Sequence, residues 1–329
     1  MNSFGRIFRV SIFGESHGNC VGINIDGCPA GLRLSVDDFN TDIERRKGGA
    51  RGTTPRKEDD IPRIMNGVFN DKTTGAPITI LFDNNNTRST DYEKQRAVPR
   101  PGHADFVAAK KFGGFEDFRG GGHFSGRLTV CLVAAGVIAK KLLDQVKVVA
   151  NILEIGGEAD TEKGLQKAID AKDTIGGIVE CRVQGLPVGL GEPFFDSAES
   201  VISHAVFAIP AVRGIEFGTG FEAAKMYGSQ HNDAIENMEG KTATNHGGGI
   251  VGGITNGNEL VFRIAIKPTS STPKLQQTLN IETGLIEDFS VKGRHDLCIA
   301  LRVPVVLEAV TAIVLADLLL LEQRMSRIV

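Results

Sequence analysis

The sequence of 329 residues lacks tryptophan, has only two tyrosines and carries almost balanced charge. Because 37 Lys and Arg face 40 Asp and Glu, there is no overall basic field, which argues against a general nucleic-acid coat protein. A hydrophobic share of 41% at a formal net charge of -3 argues against disorder as the main state. The composition is that of a globular chain able to bury a large core.

Cysteine is sparse, and its five residues form no C-x-x-C pair and no Cys/His ligand spacing. We therefore expect reduced core thiols and no metal site. The first residues lack the apolar run of a signal peptide. The longest apolar run, 303–321, is interrupted by Pro304, Glu308 and Asp317. It predicts a buried helix with no membrane contact, and we expect a cytoplasmic protein.

No linker, low-complexity tract or repeat divides the chain, which predicts a single domain over 1–329. Residues 128–143 and 305–321 are apolar nearly all round at helical length, so each helix must be covered on both sides. Strand-like runs lie at 8–13, 21–25, 64–69, 76–82, 177–183 and 259–266. We expect an α+β fold, a β-α-β sandwich with a central helical layer between two largely antiparallel sheets.

Two long segments without periodicity, about 44–60 and 83–122, are rich in Gly, Pro, Asn and charge. Ser35 is a good N-cap for a helix over 36–46, which leads into the first of them. Loops of this length inside a compact domain are usually functional, so we expect an active site there.

Glycine is abundant, with 40 residues, and it clusters with histidine. A single loop histidine is most simply a satisfied or exposed residue. Five beside glycine indicate a place where backbone or ligand comes close to titratable groups. Five of the seven histidines lie within two residues of a glycine: His17, His103, His123, His246 and His295.

Arginine follows the same pattern. Taken alone, each basic run is typical of a solvated face. On glycine-rich loops beside histidines, the guanidinium groups indicate a pocket for a small polyanion, because their forks bind phosphate and carboxylate in bidentate fashion. Arginines near glycine include Arg45, Arg46, Arg51, Arg56, Arg100, Arg119, Arg127 and Arg294.

Generic phosphate motifs do not explain this pocket. Residues 247–252 match G-x-G-x-x-G, but they precede a strand-like segment and no helix, so the dinucleotide-binding interpretation fails. Residues 240–242 resemble the end of a P-loop, but its first glycine would fall at Ile235. H-E-x-x-H and G-x-S-x-G are absent.

Taken together, the motifs resemble the chorismate synthase family. The resemblance spans residues 14–296 in family order. It implies a carbon-oxygen lyase of the shikimate pathway, in aromatic amino acid biosynthesis. The motifs are G-E-S-H-G (14–18), D-G-C-P (26–29), R-P-G-H-A-D (100–105), R-G-G-G (119–122), S-G-R (125–127), N-H-G-G-G (245–249), K-P-T-S-S (267–271) and G-R-H-D (293–296).

The family converts 5-enolpyruvylshikimate 3-phosphate to chorismate and phosphate by a formal anti 1,4-elimination. It needs reduced FMN (FMNH2), although the reaction has no net redox change. The resemblance also implies a homotetramer and associates NADP with the activity. The sequence leaves open whether this chain reduces its own FMN with NADPH or relies on an external reductant.

The resemblance also implies roles for particular residues. His17 matches the histidine proposed to protonate the leaving phosphate. His103 matches the one placed against reduced flavin near N1. Asp296 matches the carboxylate proposed to work at flavin N5, steered by Ser16 and Ser125. The matched substrate-anion clamp consists of Arg46 and Arg51 with Arg45, Arg100 and Arg127.

FMN contacts follow in the same way. Many relatives have R-S-S-A-R where this chain has H-F-S-G-R at 123–127, so we expect backbone contacts at the first two positions. We expect a close approach of backbone to cofactor at Gly252. The matched FMN contacts are His123, Phe124, Ser125, Pro210, Ala211, Gly252, Lys267, Pro268, Thr269, Ser270, Ser271 and Arg294.

Two other functions compete with the lyase. One is a flavin- or polyanion-binding protein without turnover, which would not need His17, His103 and Asp296. The other is an NAD(P)H-dependent flavin oxidoreductase, disfavoured by the lack of a dinucleotide fingerprint. We expect neither a nucleic-acid partner nor a membrane.

Overall fold

The computed structural model describes residues 2–56, 58–85, 96–291 and 295–324, and their fold class is α+β. The strands are β1 (Ser3–Phe4), β2 (Arg9–Gly14), β3 (Cys20–Asp26), β4 (Arg63–Asn66), β5 (Val68–Phe69), β6 (Lys72–Thr73), β7 (Ile78–Asp83), β8 (Lys147–Ile155), β9 (Gly177–Gln184), β10 (Val212–Phe217), β11 (Ile250–Val251), β12 (Ile254–Thr255), β13 (Leu260–Ile266), β14 (Gln276–Leu279) and β15 (Ile286–Phe289). The helices are α1 (Asn40–Arg46), α2 (Asp105–Phe112), α3 (Thr129–Leu142), α4 (Thr161–Ala171), α5 (Ala198–Val206), α6 (Gly228–His231) and α7 (Val303–Arg324).

The first sheet has the order β1-β2-β3-β7-β4, and all its neighbouring strands are antiparallel. Burial alternates along β7, where Ile78, Ile80 and Phe82 are fully buried. This period of two places the apolar side chains on one face, which packs against α3. The strand predictions for 8–13, 21–25 and 76–82 are confirmed.

The second sheet has the order β10-β13-β9-β8, again antiparallel throughout. It packs against α7 through β8 and β9. The strand predictions for 177–183 and 259–266 are confirmed. In β10 the register shifts between Val212 and Gly214, which marks a bulge. Three two-stranded pairs complete the strands of the described residues: β5-β6, β11-β12 and β14-β15.

The two helices predicted to be apolar all round, α3 and α7, pack against each other. Gly136 lets them approach closely, because a Cβ there would lie 2.3 Å from the Cβ of Ala309. By length and composition, Ile299–Arg324 is the one segment of the described chain that could cross a membrane, and 83% of its most apolar window is buried inside the protein. That burial agrees with the predicted core helix.

The charges inside α7 are satisfied by protein groups, as buried charges require. Glu308 accepts two hydrogen bonds of 2.7 Å from Arg45 and further ones from Lys140 and the backbone N–H of Ala150. Asp317 accepts the backbone N–H groups of residues 6–8, at 2.6 to 2.9 Å. These carboxylates join the helix to its surroundings.

The helix predicted over 36–46 is confirmed, and the segment 83–122 contains helical structure that was not predicted. Residues 36–46 form a 3₁₀ turn followed by α1, with a capping box at Ser35. Within 83–122 lie α2 and the start of a glycine-rich 3₁₀ stretch, Arg119–Phe124, while 86–95 lie outside the described residues. The predicted strand 64–69 is split into β4 and β5 by Gly67, whose φ is 83°. A single glycine with positive φ therefore ends one strand and separates it from the next.

Candidate active site

One cavity of about 920 Å³ brings the separated motifs together. Its walls mix aliphatic side chains with cations. Eight Lys and Arg residues line it against only three Asp and Glu, whereas the whole chain has a net charge of -3. The cavity is therefore locally positive in a mildly acidic protein. Its lining comes from seven parts of the chain, within 2–12, 46–60, 100–107, 120–132, 204–213, 267–271 and 295–313.

The glycine-rich stretch packs against two histidines, His103 in the cavity lining and His17 behind the wall. Gly120, Gly121 and Gly122 all have positive φ, which favours glycine. A Cβ at Gly120 would lie 2.2 Å from the His17 ring, and one at Gly121 would lie 3.2 Å from the ring of His103. The expectation that glycine lets groups approach titratable side chains is confirmed here.

His17 lies directly behind Gly120, a residue of the cavity wall, and is only 7% exposed. Burial, reinforced by the positive charges of Arg56 and Arg119, lowers the pKa of His17 below its usual 6.5. The imidazole is therefore neutral at pH 7 in the ligand-free protein. Next to it, Ser16 is fully buried, and its Oγ has no hydrogen-bond partner among the described residues.

His103 is held by an acidic partner that the sequence pattern did not assign a role. Its Nδ1 lies 2.6 Å from Asp105 Oδ1. Arg100 donates to the same carboxylate from Nε at 2.7 Å and from Nη2 at 2.8 Å. Burial opposes ionisation of Asp105, but the hydrogen bonds from Arg100 and His103 outweigh it and lower the pKa. The anionic carboxylate fixes the proton of His103 on Nδ1.

A second carboxylate, Asp60, joins two buried arginines of the predicted clamp. It accepts a hydrogen bond from Arg46 Nη1 at 3.1 Å and one from Arg127 Nη1. All three side chains are almost fully buried, and Asp60 has a φ of 50°. Burial, together with the nearby positive charges, lowers the pKa of Arg46 to about 9, which leaves it charged at pH 7. The Arg46–Asp60–Arg127 cluster thus keeps a net positive charge at the cavity wall.

Asp296 also lines the cavity, next to this cluster. Its Oδ1 accepts the backbone N–H of Thr54 at 2.9 Å, and its Oδ2 accepts Arg302 Nη1 at 3.1 Å. Arg302 in turn donates from Nε to the carbonyl of Arg46 at 2.9 Å. Sequence reasoning missed Asp60 and Arg302, because neither lies in a motif and their partners are distant in the chain.

Most of the residues matched to FMN contacts also line this cavity, namely 123–125, 210–211 and 267–271. Lys267 donates to the carbonyl of Gly102 at 2.6 Å and to Ser270 Oγ at 2.8 Å, which joins two loops. His123 is fixed by protein groups through Nδ1 to the Gly14 carbonyl and Nε2 to Asn2. Both ring nitrogens of His123 are therefore already in hydrogen bonds with protein groups.

Among the described residues, three of those matched to the clamp or to FMN do not line the cavity, and Ser16 and His17 lie behind its wall at Gly120. Arg45 binds Glu308 and Asp42. Arg51 binds Glu162 and Gln166 on the surface. Gly252 lies in the β11-β12 turn, where an added Cβ would meet nothing within 4 Å, so the structure shows no close approach of protein atoms there. Arg294 lies outside the described residues.

The cavity residues fit a flavin mononucleotide together with a small polyanion. The volume lies in the range of cofactor sites, roughly 300–1,000 Å³. Val306, Val310 and Ile313 provide an apolar wall suited to a flat ring. The buried Oγ1 of Thr269, on the same loop as Lys267, has no hydrogen-bond partner among the described residues. Unsatisfied polar groups beside cations are suited to phosphate oxygens.

Comparisons with known proteins agree on one family. A family model described as chorismate synthase matches residues 8–320. A chorismate synthase of Chitinophaga pinensis is 72% identical over 329 residues, covering 100% of this chain and 99% of that protein. One from Dehalococcoides mccartyi is 45% identical and covers 97% and 96% of the two chains. One from Korarchaeum cryptofilum is 44% identical, with 95% and 96% covered.

The fold agrees as well. A crystal structure of a chorismate synthase superposes with a TM-score of 0.75 at 27% identity, covering 97% of this chain and 93% of the other. The similarity in fold therefore extends over almost the whole chain.

Proposed function

The chain belongs to the chorismate synthase family, and from that premise we propose how its cavity carries out the reaction. The activity is the anti 1,4-elimination of phosphate from 5-enolpyruvylshikimate 3-phosphate to give chorismate, which makes the protein a lyase acting on phosphates. The family depends on reduced FMN without net redox change. In the elimination a C–O bond to phosphate and a ring C–H bond break, and a C=C bond forms.

The positive cavity supports substrate binding. The substrate carries one phosphate and two carboxylates, and cations in a water-poor site attract such anions more strongly than in bulk water. The Arg46–Asp60–Arg127 cluster and Arg100 are the proposed clamp. Because most of their donors already bind protein acceptors, these arginines act mainly as fixed positive charges. The excess of cations over acids in the cavity is the observation that carries this proposal.

His17 is the proposed proton donor to the leaving phosphate. Its pKa is lowered in the free protein, and a bound phosphate dianion would raise it again by favouring the imidazolium form. Protonation of His17 is therefore coupled to binding of the substrate. Ser16 Oγ, buried beside His17 without a described partner, is available to bind a substrate or cofactor group.

Asp296 and His103 are proposed to face the cofactor, with Ser125 on the same cavity wall. Arg302 and the Thr54 N–H keep the Asp296 carboxylate oriented. Asp105 holds the Nδ1 proton of His103, so Nε2 remains for the ligand side. Reduced FMN, when bound, supplies transient electron density to the departing phosphate and assists loss of the ring hydrogen.

Residues 123–125, 210–211 and 267–271 are the proposed holders of FMN. We also propose a single domain with β-α-β layering, supported by the packing of α3 on the first sheet, α7 on the second, and α3 on α7. A cytoplasmic homotetramer and a role for NADP in reducing the flavin remain proposals from the family resemblance.

The test is an anaerobic assay with dithionite-reduced FMN and 5-enolpyruvylshikimate 3-phosphate. We expect stoichiometric release of phosphate and formation of chorismate without consumption of NADPH. Flavin binding without phosphate release would support a binding protein instead. NADPH consumed in proportion to turnover would support an oxidoreductase.

A further inference from the structure

Arg213 differs from the other arginines of the cavity. The guanidinium groups of Arg46, Arg56, Arg100, Arg127 and Arg302 each donate to protein acceptors. Arg213 also lines the cavity, yet its guanidinium makes no hydrogen bond or ion pair with any residue the structure describes. Its fork of donors is therefore available to a ligand.

The backbone around Arg213 is unusual in two ways. Arg213 lies at the bulge of β10, between Val212 and Gly214, and bulges re-aim side chains near functional sites. Two residues earlier, Ala211 has a φ of 75°, a left-handed conformation that is strained for a residue with a Cβ. Strain and a bulge together at a cavity wall indicate a conformation maintained for a function.

A second cation lies beside Arg213. The backbone N–H of Lys267 donates to the carbonyl of Ala211 at 2.9 Å, which joins the two loops. Burial, and then the charge of Arg213, lowers the pKa of Lys267, so the two side chains feel each other's field. A bound anion would reduce the electrostatic repulsion between these two like charges. The unpartnered Oγ1 of Thr269 is on the same loop, whereas the Oγ of Ser270 already donates to the Gly102 carbonyl at 2.8 Å.

We propose that Arg213 binds the phosphate monoester of the flavin, together with Lys267 and the Thr269 hydroxyl. This inference rests on the proposed function, because it needs FMN as the cofactor. The substrate also carries a phosphate, but the Arg46–Asp60–Arg127 cluster belongs to other loops and already supplies a separate positive site. The Arg213 site is therefore assigned to the cofactor phosphate.

The experiment compares FMN with riboflavin, which has the same ring and no phosphate. Both are titrated into the full chain, in oxidised form, and binding is followed by flavin fluorescence. We expect Arg213→Gln to weaken FMN binding by roughly 10-fold while riboflavin binding stays the same, because a charge-assisted contact is lost. Arg213→Lys should recover part of the FMN affinity.

Arg33→Gln is the matched control, since Arg33 is exposed, outside the cavity lining and without a described ion pair. Equal losses for FMN and riboflavin in Arg213→Gln, or no loss for either, would overturn the proposal. So would an unchanged FMN to riboflavin ratio combined with a higher KM for the substrate, which would assign Arg213 to the substrate phosphate. Phosphate release by the wild-type enzyme tests the proposed function separately.

Discussion

Arg45 and Arg46 are neighbours on α1, yet they serve two different charge clusters. Arg45, with Lys140, neutralises Glu308 between packed helices. Arg46, with Arg127, surrounds Asp60 at the cavity wall. The first cluster also contains Asp42, which pairs with both Arg45 and Lys140, so its two cations meet two carboxylates, whereas the second has two cations for one carboxylate. Only the second faces a space where a ligand fits, so the same chemistry is structural in one place and available for binding in the other.

The largest effect is expected on kcat, when substitution of Asp296 at the cavity wall is compared with substitution of Glu308 between the packed helices. Asp296→Asn should lower kcat by roughly 10²–10⁴-fold, the scale of general acid–base groups. Glu308→Gln should leave kcat nearly unchanged in the folded fraction. Anaerobic phosphate release measures both. Near-normal turnover in Asp296→Asn would remove it from the proposed chemistry, provided that flavin titration shows a folded protein.

The next effect concerns stability. Asp60→Asn leaves two buried guanidinium groups without a counter-ion and should lower the free energy of unfolding by about 3–5 kcal/mol. Glu308→Gln should cost less, about 1–3 kcal/mol, because Arg45 and Lys140 are partly exposed and remain solvated. Urea unfolding of both variants gives the comparison. If Glu308→Gln lowers the free energy of unfolding more than Asp60→Asn, the cluster around Glu308 is the more strongly desolvated one.

A smaller effect separates the two neighbouring arginines. Arg46→Ala should raise the KM for the substrate by roughly 10- to 100-fold, since one charge of the clamp is removed. Arg45→Ala should leave the KM within about 2-fold of wild type, because Arg45 is bound to Glu308 away from the cavity. Steady-state kinetics at saturating reduced FMN measures both. Similar KM values for the two variants would remove Arg46 from the clamp.

The smallest effect is a pH dependence of stability. The pKa of His17 is lowered in the folded protein, mainly by burial. Its stabilising contribution is therefore complete above the unfolded pKa of about 6.5 and is lost as the pH falls through the folded value. As the pH falls below about 6.5, wild type should lose stability faster than His17→Gln, because the variant has no imidazole to protonate. Parallel urea midpoints in the two proteins would contradict the lowered pKa.

The sequence predicted the core better than the walls of the site. Helices α3 and α7 and the main strands follow from apolar periodicity, and their ends differ by only a few residues. Helix α2 was missed inside a glycine- and proline-rich segment, because its eight residues are too short to show a period. Such short elements depend on caps, here Gly113 in the left-handed conformation.

Side-chain direction was the part that local sequence could not specify. Arg45, Arg46 and Arg51 look alike in the sequence. Arg45 and Arg46 are consecutive on α1 and therefore point about 100° apart, whereas Arg51 lies beyond the end of that helix. Their partners, such as Glu308 and Glu162, are more than a hundred positions away. Asp60 and Arg302 lack any motif and become visible only when the loops meet. Tertiary contacts therefore decide which charges face the cavity.

The carboxylate of Asp317 has a consequence for the order in which the chain folds. Ile7 and Asp317 are 310 positions apart, and this hydrogen bond fixes the entry to strand β2. During synthesis the early strands emerge long before the helix that anchors them, so the opening segment must wait until translation is nearly finished. Such late contacts form slowly and leave the backbone N–H groups of residues 6–8 without their carboxylate acceptor in the meantime. Truncation near residue 317 would therefore be felt first at the opposite end of the polypeptide.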